Sequence, residues 1–208
     1  MEFAVVLEAF PTTGYIADLS PDQVATAARM ALNKIADRTR TRADRALREQ
    51  IAFPAAFLGP SGKRLWVQTK ASNQSLQAVI RGRGQTTSLA RFAGNTKPTS
   101  GKQRPKGGGV QVQVKAGGAK KFIERAFIMQ LRGDNRGLAV RTKDGMRPRG
   151  AYVPKEIGKN LWLLYGPSVD QALINSRHEG IYEDLGPEVL DALDAEFRRL
   201  IDLRISDA

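Results

Sequence analysis

The sequence predicts an α+β protein in which a long N-terminal helix and a C-terminal helix pack on an antiparallel β-sheet. Three observations lead to this class. A helical period of small and apolar residues follows Ser20, strand-like runs separated by glycine fill the middle of the chain, and a second helical period occupies residues 187–204. The chain has 208 residues, of which 41% are hydrophobic, so we expect one domain over residues 1–208 with a substantial core.

The first elements are a short apolar segment and a long helix. Residues 3–10 are mostly apolar and predict a short strand or a buried lead-in. Ser20 can cap a helix, Pro21 suits its first position, and Gln23 completes a capping box. Apolar residues then recur at three- and four-residue steps over about 30 residues, which is about 45 Å of helix, before Pro54 ends or kinks it. The other face of this helix is basic and carries Arg29, Lys34, Arg38, Arg40, Arg42, Arg45 and Arg48.

Antiparallel strands are predicted for the middle of the chain. Strand-like runs occupy residues 64–69, 76–81, 126–132, 138–141 and 161–165. Val110, Val112 and Val114 alternate with polar residues, as in a half-buried strand. Glycines at residues 133–137 favour a hairpin turn between two of the runs, and the whole predicts a meander. Residues 93–109, which are rich in glycine, proline and lysine, interrupt it and predict a long flexible basic loop.

The C-terminal part of the chain is predicted to be helical. Ser168 can cap a short helix that runs through Ile174. Residues 187–204 then form an amphipathic helix whose apolar residues share one face. Acidic residues crowd the start of this helix and basic residues its end, an arrangement that complements the helix dipole.

Charge is distributed unevenly along the chain. The 33 lysines and arginines outnumber the 21 acidic residues and give a net charge of +12. Residues 1–28 carry −4, residues 29–149 carry +21 and residues 150–208 carry −5. A basic middle between acidic ends indicates a polyanion or an acidic surface as partner, and the alternative is a solvated basic surface that aids solubility.

Composition excludes several kinds of chemistry. The chain has no cysteine and one histidine, His178, so disulfides, iron–sulfur clusters, thiol catalysis and sites with two histidines are excluded. No apolar run approaches the roughly 18 residues of a membrane span, and the acidic start Met1-Glu2-Phe3 is unlike a signal peptide. We therefore expect a soluble protein that is made in a cytoplasm and has no membrane contact.

The glycine-rich segments do not match nucleotide-binding motifs. Residues 59–64 lack the spacing of a P-loop and its Ser or Thr after the lysine. Thr87 stands where a dinucleotide fingerprint that starts at Gly82 needs its third glycine. His178 has no recognisable nucleophile or orienting partner, so a hydrolase built on it is the weakest alternative, and a surface or interface histidine is favoured. We expect no enzyme activity, no cofactor and no metal.

A second class of function is non-specific nucleic-acid binding, for example by a free DNA- or RNA-binding regulator. The basic middle could neutralise phosphates, but the chain has no helix-turn-helix, zinc-finger or RNP pattern, and aromatic residues make up 7% of it. The basic residues chosen as candidates for contact with DNA are Arg81, Arg83, Arg91, Lys97, Lys102, Arg104 and Lys106. Each of them could equally form an ion pair with acidic residues within 179–194 of a neighbouring subunit.

Three segments, taken in order, resemble the minor tail protein Z family of lambda-like bacteriophages. They are an Ala-rich basic helix at residues 27–36, a Gly-rich break before the alternating strand at residues 106–112 and the hairpin core at residues 126–131. A fourth, apolar segment at residues 163–169 is similar to a feature common among phage neck and tail-completion proteins. The family leads us to expect a basic tail, whereas the C-terminus of this chain is acidic. None of the four segments is a catalytic motif.

The resemblance implies a structural virion protein of a long-tailed phage. Such proteins act at the head-proximal end of the tail, in the neck region, where they help tail completion, head–tail joining and DNA passage. It further implies a homo-oligomeric ring, which we expect to be a hexamer, in contact with other tail and neck proteins and non-specifically with genomic DNA. A tail terminator that caps the tail tube is the nearest alternative. The protein would be made in the cytoplasm of a bacterial host.

Overall fold

The computed structural model describes residues 4–6, 19–94, 108–133, 135–143, 145–150, 153–174 and 181–206. These residues confirm the α+β class, because they combine helices with antiparallel strands. The helices are α1 (Pro21–Gln50), α2 (Val169–Leu173) and α3 (Ile181–Ser206). The strands are β1 (Ala4–Val6), β2 (Leu65–Thr69), β3 (Val79–Gly82), β4 (Thr87–Ser88), β5 (Gly109–Val112), β6 (Lys121–Glu124), β7 (Ala126–Gln130), β8 (Arg136–Arg141), β9 (Val153–Gly158) and β10 (Leu161–Gly166). Short 3₁₀ turns lie at Ala55–Phe57, Pro60–Gly62 and Leu89–Phe92.

Helix α1 follows the prediction. The Ser20 hydroxyl accepts a hydrogen bond from the Gln23 backbone N–H at 3.3 Å, and the Gln23 side chain accepts one from the Ser20 N–H at 2.8 Å. These bonds satisfy two donors that the first turn leaves without an intrahelical partner. The helix has 30 residues and ends at Gln50, before Pro54. Its buried apolar face consists of Ala27, Ala28, Ala31, Leu32, Ile35, Ala36, Ala43 and Leu47.

The described strands are antiparallel as predicted, but they form three sheets rather than one meander. In the largest sheet, β4, β10, β8 and β7 are neighbours in that order, and β9 also pairs with β10. The second sheet has the order β1-β3-β2, and β5 and β6 form the third. The predicted hairpin is confirmed, since Ile128 of β7 lies opposite Leu138 of β8. Leu163 and Leu164 of β10 are both buried, so this strand is covered on both faces and suits a central position.

Two main apolar clusters hold the described elements together. The larger cluster lies between the C-terminal half of α1 and the sheets, and its fully buried members include Leu47, Leu65, Ile128, Leu138 and Leu164. The second lies between α1 and α3 and includes Leu32, Ile35, Leu193, Phe197 and Ile201. Helix α3 therefore packs mainly on α1, and its first turn reaches the sheet core through Ile181. The assignment of residues 1–208 to a single domain stays a prediction.

The C-terminal helices confirm one prediction and correct another. Ser168 caps α2 as predicted, and its hydroxyl accepts a hydrogen bond from the Gln171 N–H at 3.0 Å. Helix α3 begins at Ile181 and not near Pro187, so the predicted start was wrong. Ile181 and Val189 are both buried, and this packing on either side of Pro187 continues the helix through a residue that lacks an N–H donor.

The predicted loop at residues 93–109 lies mostly outside the described residues. Residues 95–107 belong to the part of the chain that is not described. The alternating strand that follows is confirmed, since Val110 and Val112 are buried while Gln111 is exposed. It is shorter than predicted, because β5 ends at Val112 and Val114 lies beyond it.

Candidate functional site: an arginine-lined cleft

A cleft of about 320 Å³ opens where the first 3₁₀ turn, the segment around β4 and the β7–β8 hairpin meet. We call it the arginine cleft, because its lining includes Arg64, Arg83, Arg91, Arg132 and Arg136. Its other lining residues are Phe57, Gln85, Thr86, Thr87, Ser88, Leu131, Asn135, Tyr165 and Val169. None of these described lining residues is Asp or Glu, so the cleft is strongly positive.

Arg64 is held against Phe57 at one side of the cleft. Its guanidinium carbon lies 4.3 Å from the centre of the Phe57 ring, which is a cation–π contact. Its Nη1 donates a hydrogen bond to the Phe57 carbonyl oxygen at 3.1 Å. Its Nε is buried and has no hydrogen-bond partner among the described residues. Two contacts to one residue therefore fix the position of this guanidinium group.

Two of the cleft arginines repel a third, Arg64. Burial lowers the pKa of Arg64, and the positive charges of Arg91 and Arg83 lower that pKa further. Arginine remains charged nonetheless, because its ordinary pKa lies far above neutral pH. No ion pair among the described residues offsets the repulsion at these three side chains. An anion bound in the cleft would relieve it.

The backbone around Arg83 connects the cleft to α2. The Arg83 N–H donates to the Arg64 carbonyl at 2.8 Å, and the Arg83 carbonyl accepts from the Asp170 N–H at 3.2 Å. Gly82 makes this approach possible, since a Cβ at that position would lie 3.2 Å from the Asp170 backbone. The Arg83 guanidinium is exposed and donates a hydrogen bond to the side chain of Gln85.

Arg132 and Arg136 come from the turn of the β7–β8 hairpin. The Asn135 side chain donates to the Arg132 carbonyl at 3.3 Å, which closes the turn. The Ser88 hydroxyl donates to the Arg136 carbonyl at 3.0 Å and so connects β4 to the hairpin. Both arginine side chains are exposed. Asp134, in the same turn, lies outside the described residues.

The structure brings together two of the basic residues that the sequence suggested. Arg83 and Arg91 lie in the cleft. Arg81 does not line it; that side chain is half-buried and donates to the Gln68 side chain at 2.8 Å. The remaining suggested residues, which are Lys97, Lys102, Arg104 and Lys106, lie outside the described residues, as does His178. Arg64, Arg132 and Arg136 also line the cleft, and none of them is among the residues suggested by the sequence.

The basic face of α1 differs from the cleft because it meets acidic residues. Lys34 Nζ lies 2.8 Å from Glu196 Oε2, and Arg42 Nη1 lies 2.5 Å from Glu188 Oε2. Arg199 contacts the other oxygen of Glu196 at 2.6 Å. We call these five residues the α1–α3 seam. Glu188, one of the acids suggested as partners for a neighbouring subunit, is thus paired within the chain.

Comparison of the chain with family models, characterised proteins and solved structures finds no match. Among the described helices, none is long and apolar enough to cross a membrane. The described part of the chain also brings together no group of three or more His, Asp or Glu side chains that could hold a metal ion. The cleft offers guanidinium donors and positive charge, and the chemistry that this supports is anion binding.

Proposed function

We propose that this chain is a structural virion protein of a tailed bacteriophage, a minor tail or tail-completion protein that works in a ring at the head-proximal end of the tail. There it helps to complete the tail, to join it to the head and to pass the DNA. The proposal rests on the resemblance of three segments to the minor tail protein Z family, on that of a fourth segment to phage neck and tail-completion proteins, and on the arginine cleft. It involves no catalytic step and no cofactor.

The main structural support for the proposal is that two of these segments meet at the arginine cleft. The segments at residues 126–131 and 163–169 contribute Leu131, Tyr165 and Val169 to the lining of the arginine cleft. Strands β7, β8 and β10 hold both segments in one sheet. Segments that are distant in the sequence therefore converge on one positive surface, which suits a protein past which DNA moves.

Weak and non-specific contact fits this role better than a tight site. The guanidinium groups of Arg83, Arg91, Arg132 and Arg136 sit on exposed side chains, where salt screens their interactions. Contacts to a DNA backbone carry no sequence information directly. A tight and specific site would arrest DNA that has to travel through the ring.

Some of the same observations also support two other functions. A nucleic-acid-binding protein that belongs to no virion is the second candidate, and the charge of the arginine cleft favours it. A tail terminator that caps the tail tube remains the alternative within the phage class. The three differ in what they assemble with, because a free binder ignores tail tubes and a terminator stops their elongation.

Negative-stain electron microscopy of the purified protein, alone and mixed with tail tubes of a lambda-like phage, tests the proposal. We expect rings, or tubes that carry extra density at one end. Replacement of both Arg83 and Arg91 by Gln should leave this capping unchanged, because in this proposal the cleft meets DNA and not a neighbouring subunit.

Small uniform particles that leave the tubes bare would contradict the proposal and favour the free nucleic-acid binder. The lengths of tubes that assemble in the presence of the protein separate the two phage roles. A terminator shortens growing tubes, whereas a completion protein that joins finished tubes leaves their length unchanged.

A further inference from the structure

We infer that the arginine cleft binds consecutive phosphate groups along one strand of duplex DNA, without reading the base sequence. The choice of DNA as the natural ligand rests on the proposed function. The affinity of the cleft for a phosphodiester backbone is argued from its side chains alone. Binding uses ion pairs and hydrogen bonds, and no covalent bond changes.

The cleft concentrates more positive charge than a small anion can neutralise. Five arginines line about 320 Å³, and no described lining residue is acidic. One phosphate or carboxylate ion would leave most of these guanidinium groups without a partner. A DNA strand carries a phosphate for about every 3.4 Å of helix axis, so it supplies several negative charges to one cleft.

The cleft arginines also differ from arginines elsewhere on the described surface. Arg42, Arg48 and Arg198 each lie within 2.9 Å of a carboxylate oxygen. The five cleft arginines have no such ion pair among the described residues, although burial and repulsion from Arg83 and Arg91 act on Arg64. Clustered like charges that have no carboxylate partner among the described residues point to a ligand that brings the opposite charge.

The aromatic residues of the cleft argue against the stacking of bases. The Phe57 ring stacks on Phe53 with a centroid distance of 5.3 Å, and it also lies under Arg64 at 4.3 Å and Arg91 at 5.8 Å. Tyr165 is half-buried in β10. Proteins that hold single strands offer free aromatic faces to the bases. A duplex keeps its bases inside and its phosphates outside, so it needs no free ring.

An acidic protein surface is the alternative ligand, since arginine also recognises carboxylates. The neutral lining groups favour a nucleic-acid backbone over such a surface. Gln85, Thr86 and Asn135 add amide and hydroxyl groups beside the guanidinium groups. Side chains of these kinds, together with arginine, make the usual hydrogen bonds to phosphate and sugar oxygens.

Fluorescence anisotropy with a labelled duplex of about 20 base pairs, measured at several salt concentrations, tests this inference. The cleft variant combines Arg83→Gln with Arg91→Gln. The matched control combines Arg38→Gln with Arg45→Gln, which removes the same charge from exposed arginines of α1. Neither control residue forms an ion pair within the described part of the chain.

For the wild-type protein, the logarithm of the association constant should fall linearly with the logarithm of the salt concentration, with a slope of about −0.9 per phosphate contacted. The cleft variant loses about two contacts, so we expect its slope to be shallower by about 2. Its affinity at low salt should fall by about tenfold or more. The control should change both quantities far less, and two duplexes of unrelated sequence should bind the wild type equally.

Three results would overturn the inference. An equal loss of DNA affinity in the control variant would show that binding depends on the overall positive charge of the protein and not on the cleft. Failure of the wild type to bind the duplex at about 50 mM salt would leave the cleft without a DNA ligand. Stronger binding of polyglutamate than of duplex, with the same dependence on Arg83 and Arg91, would assign the cleft to an acidic protein surface. If the cleft variant fails to fold, Arg132→Gln combined with Arg136→Gln repeats the test at the hairpin.

The tube-capping experiment separates this inference from the proposed function. A protein that caps tubes but does not bind the duplex refutes the inference alone. A protein that binds the duplex through Arg83 and Arg91 but ignores tubes refutes the proposed function, and the cleft then belongs to a free nucleic-acid binder.

Discussion

The α1–α3 seam and the arginine cleft use the same kinds of basic side chain in opposite ways. In the seam, Lys34 and Arg199 both contact Glu196, a residue that is only 8% exposed. In the cleft, five arginines converge without a described carboxylate. The net charge of +12 is therefore not distributed evenly over the surface. Part of the basic charge is neutralised between α1 and α3, and another part is collected in the cleft.

The pKa shifts of Glu196 and Arg64 show this difference. Both pKa values lie below their ordinary values, but for opposite reasons. Hydrogen bonds from Arg199 and Lys34 lower the pKa of Glu196 to about 2, so the seam favours the charged carboxylate. Burial and the charges of Arg91 and Arg83 lower the pKa of Arg64, so the cleft disfavours the charged guanidinium. The seam thus stabilises the fold, while the cleft retains a repulsion that a ligand can relieve.

The largest expected effect comes from removing the apolar support of the seam. Leu32 is completely buried between α1 and α3, so Leu32→Ala loses apolar burial and leaves a cavity. We expect the free energy of unfolding, measured in urea, to fall by about 2–5 kcal/mol. Met30→Ala, on the same helix but 45% exposed, should change it by about 0.5 kcal/mol or less. Equal losses in the two variants would contradict this packing.

The pH dependence of stability tests the seam through Glu196. Its pKa is about 2 in the folded protein against an ordinary value of 4.5, so the unfolded chain binds more protons between these values. The stabilisation by Glu196 is therefore complete above about pH 5 and is lost as the pH falls towards 2. We expect the stability difference between the wild type and Glu196→Gln to shrink as urea unfolding is repeated from pH 6 down to pH 3.

The test compares the wild type with Glu196→Gln at each pH, because other carboxylates also titrate in acid. Those groups act on both proteins alike, whereas the contribution of Glu196 appears only in the difference. A stability difference that stays constant from pH 6 to pH 3 would show that the contacts with Lys34 and Arg199 do not stabilise the folded state.

The smallest expected effects come from single charge substitutions, which should change the free energy of unfolding in opposite directions in the cleft and in the seam. Arg83→Gln removes a charge that repels Arg64, so at low salt we expect the free energy of unfolding to rise by about 0.5 kcal/mol. Arg42→Gln removes an ion pair with Glu188, so the same quantity should fall by about 0.5 kcal/mol. Both changes should fade in high salt. Changes of the same sign would mean that the two regions do not differ as described.

Much of the fold could be predicted because local rules determine it. Ser20 and Gln23 mark the start of α1, and the glycine-containing turn marks the β7–β8 hairpin. The start of α3 could not be predicted in this way, because a proline near a helix start usually marks its first turn. Burial of Ile181 and Val189 on either side of Pro187 exists only in the folded chain. The central place of β10 likewise depends on pairing with strands far from it in the sequence.

The candidate site was only partly predictable. Arg83 and Arg91 could be named from local charge density. Arg132 and Arg136 flank a predicted hairpin turn, so their closeness to each other could have been found, because the two ends of a turn lie at the same edge of a sheet. Local charge density does not single out Arg64, since its place depends on a backbone hydrogen bond to Arg83 and on contact with the Phe57 ring.

The most direct test of the division between seam and cleft is an NMR titration that follows the arginine Nε–H resonances while duplex DNA is added. We expect the resonances of Arg64, Arg83, Arg91, Arg132 and Arg136 to shift, because phosphates approach these side chains. Those of Arg42 and Arg199 should stay in place, because carboxylates already hold them. Shifts spread equally over both regions, or confined to the seam, would contradict the assignment of the cleft as the anion-binding site.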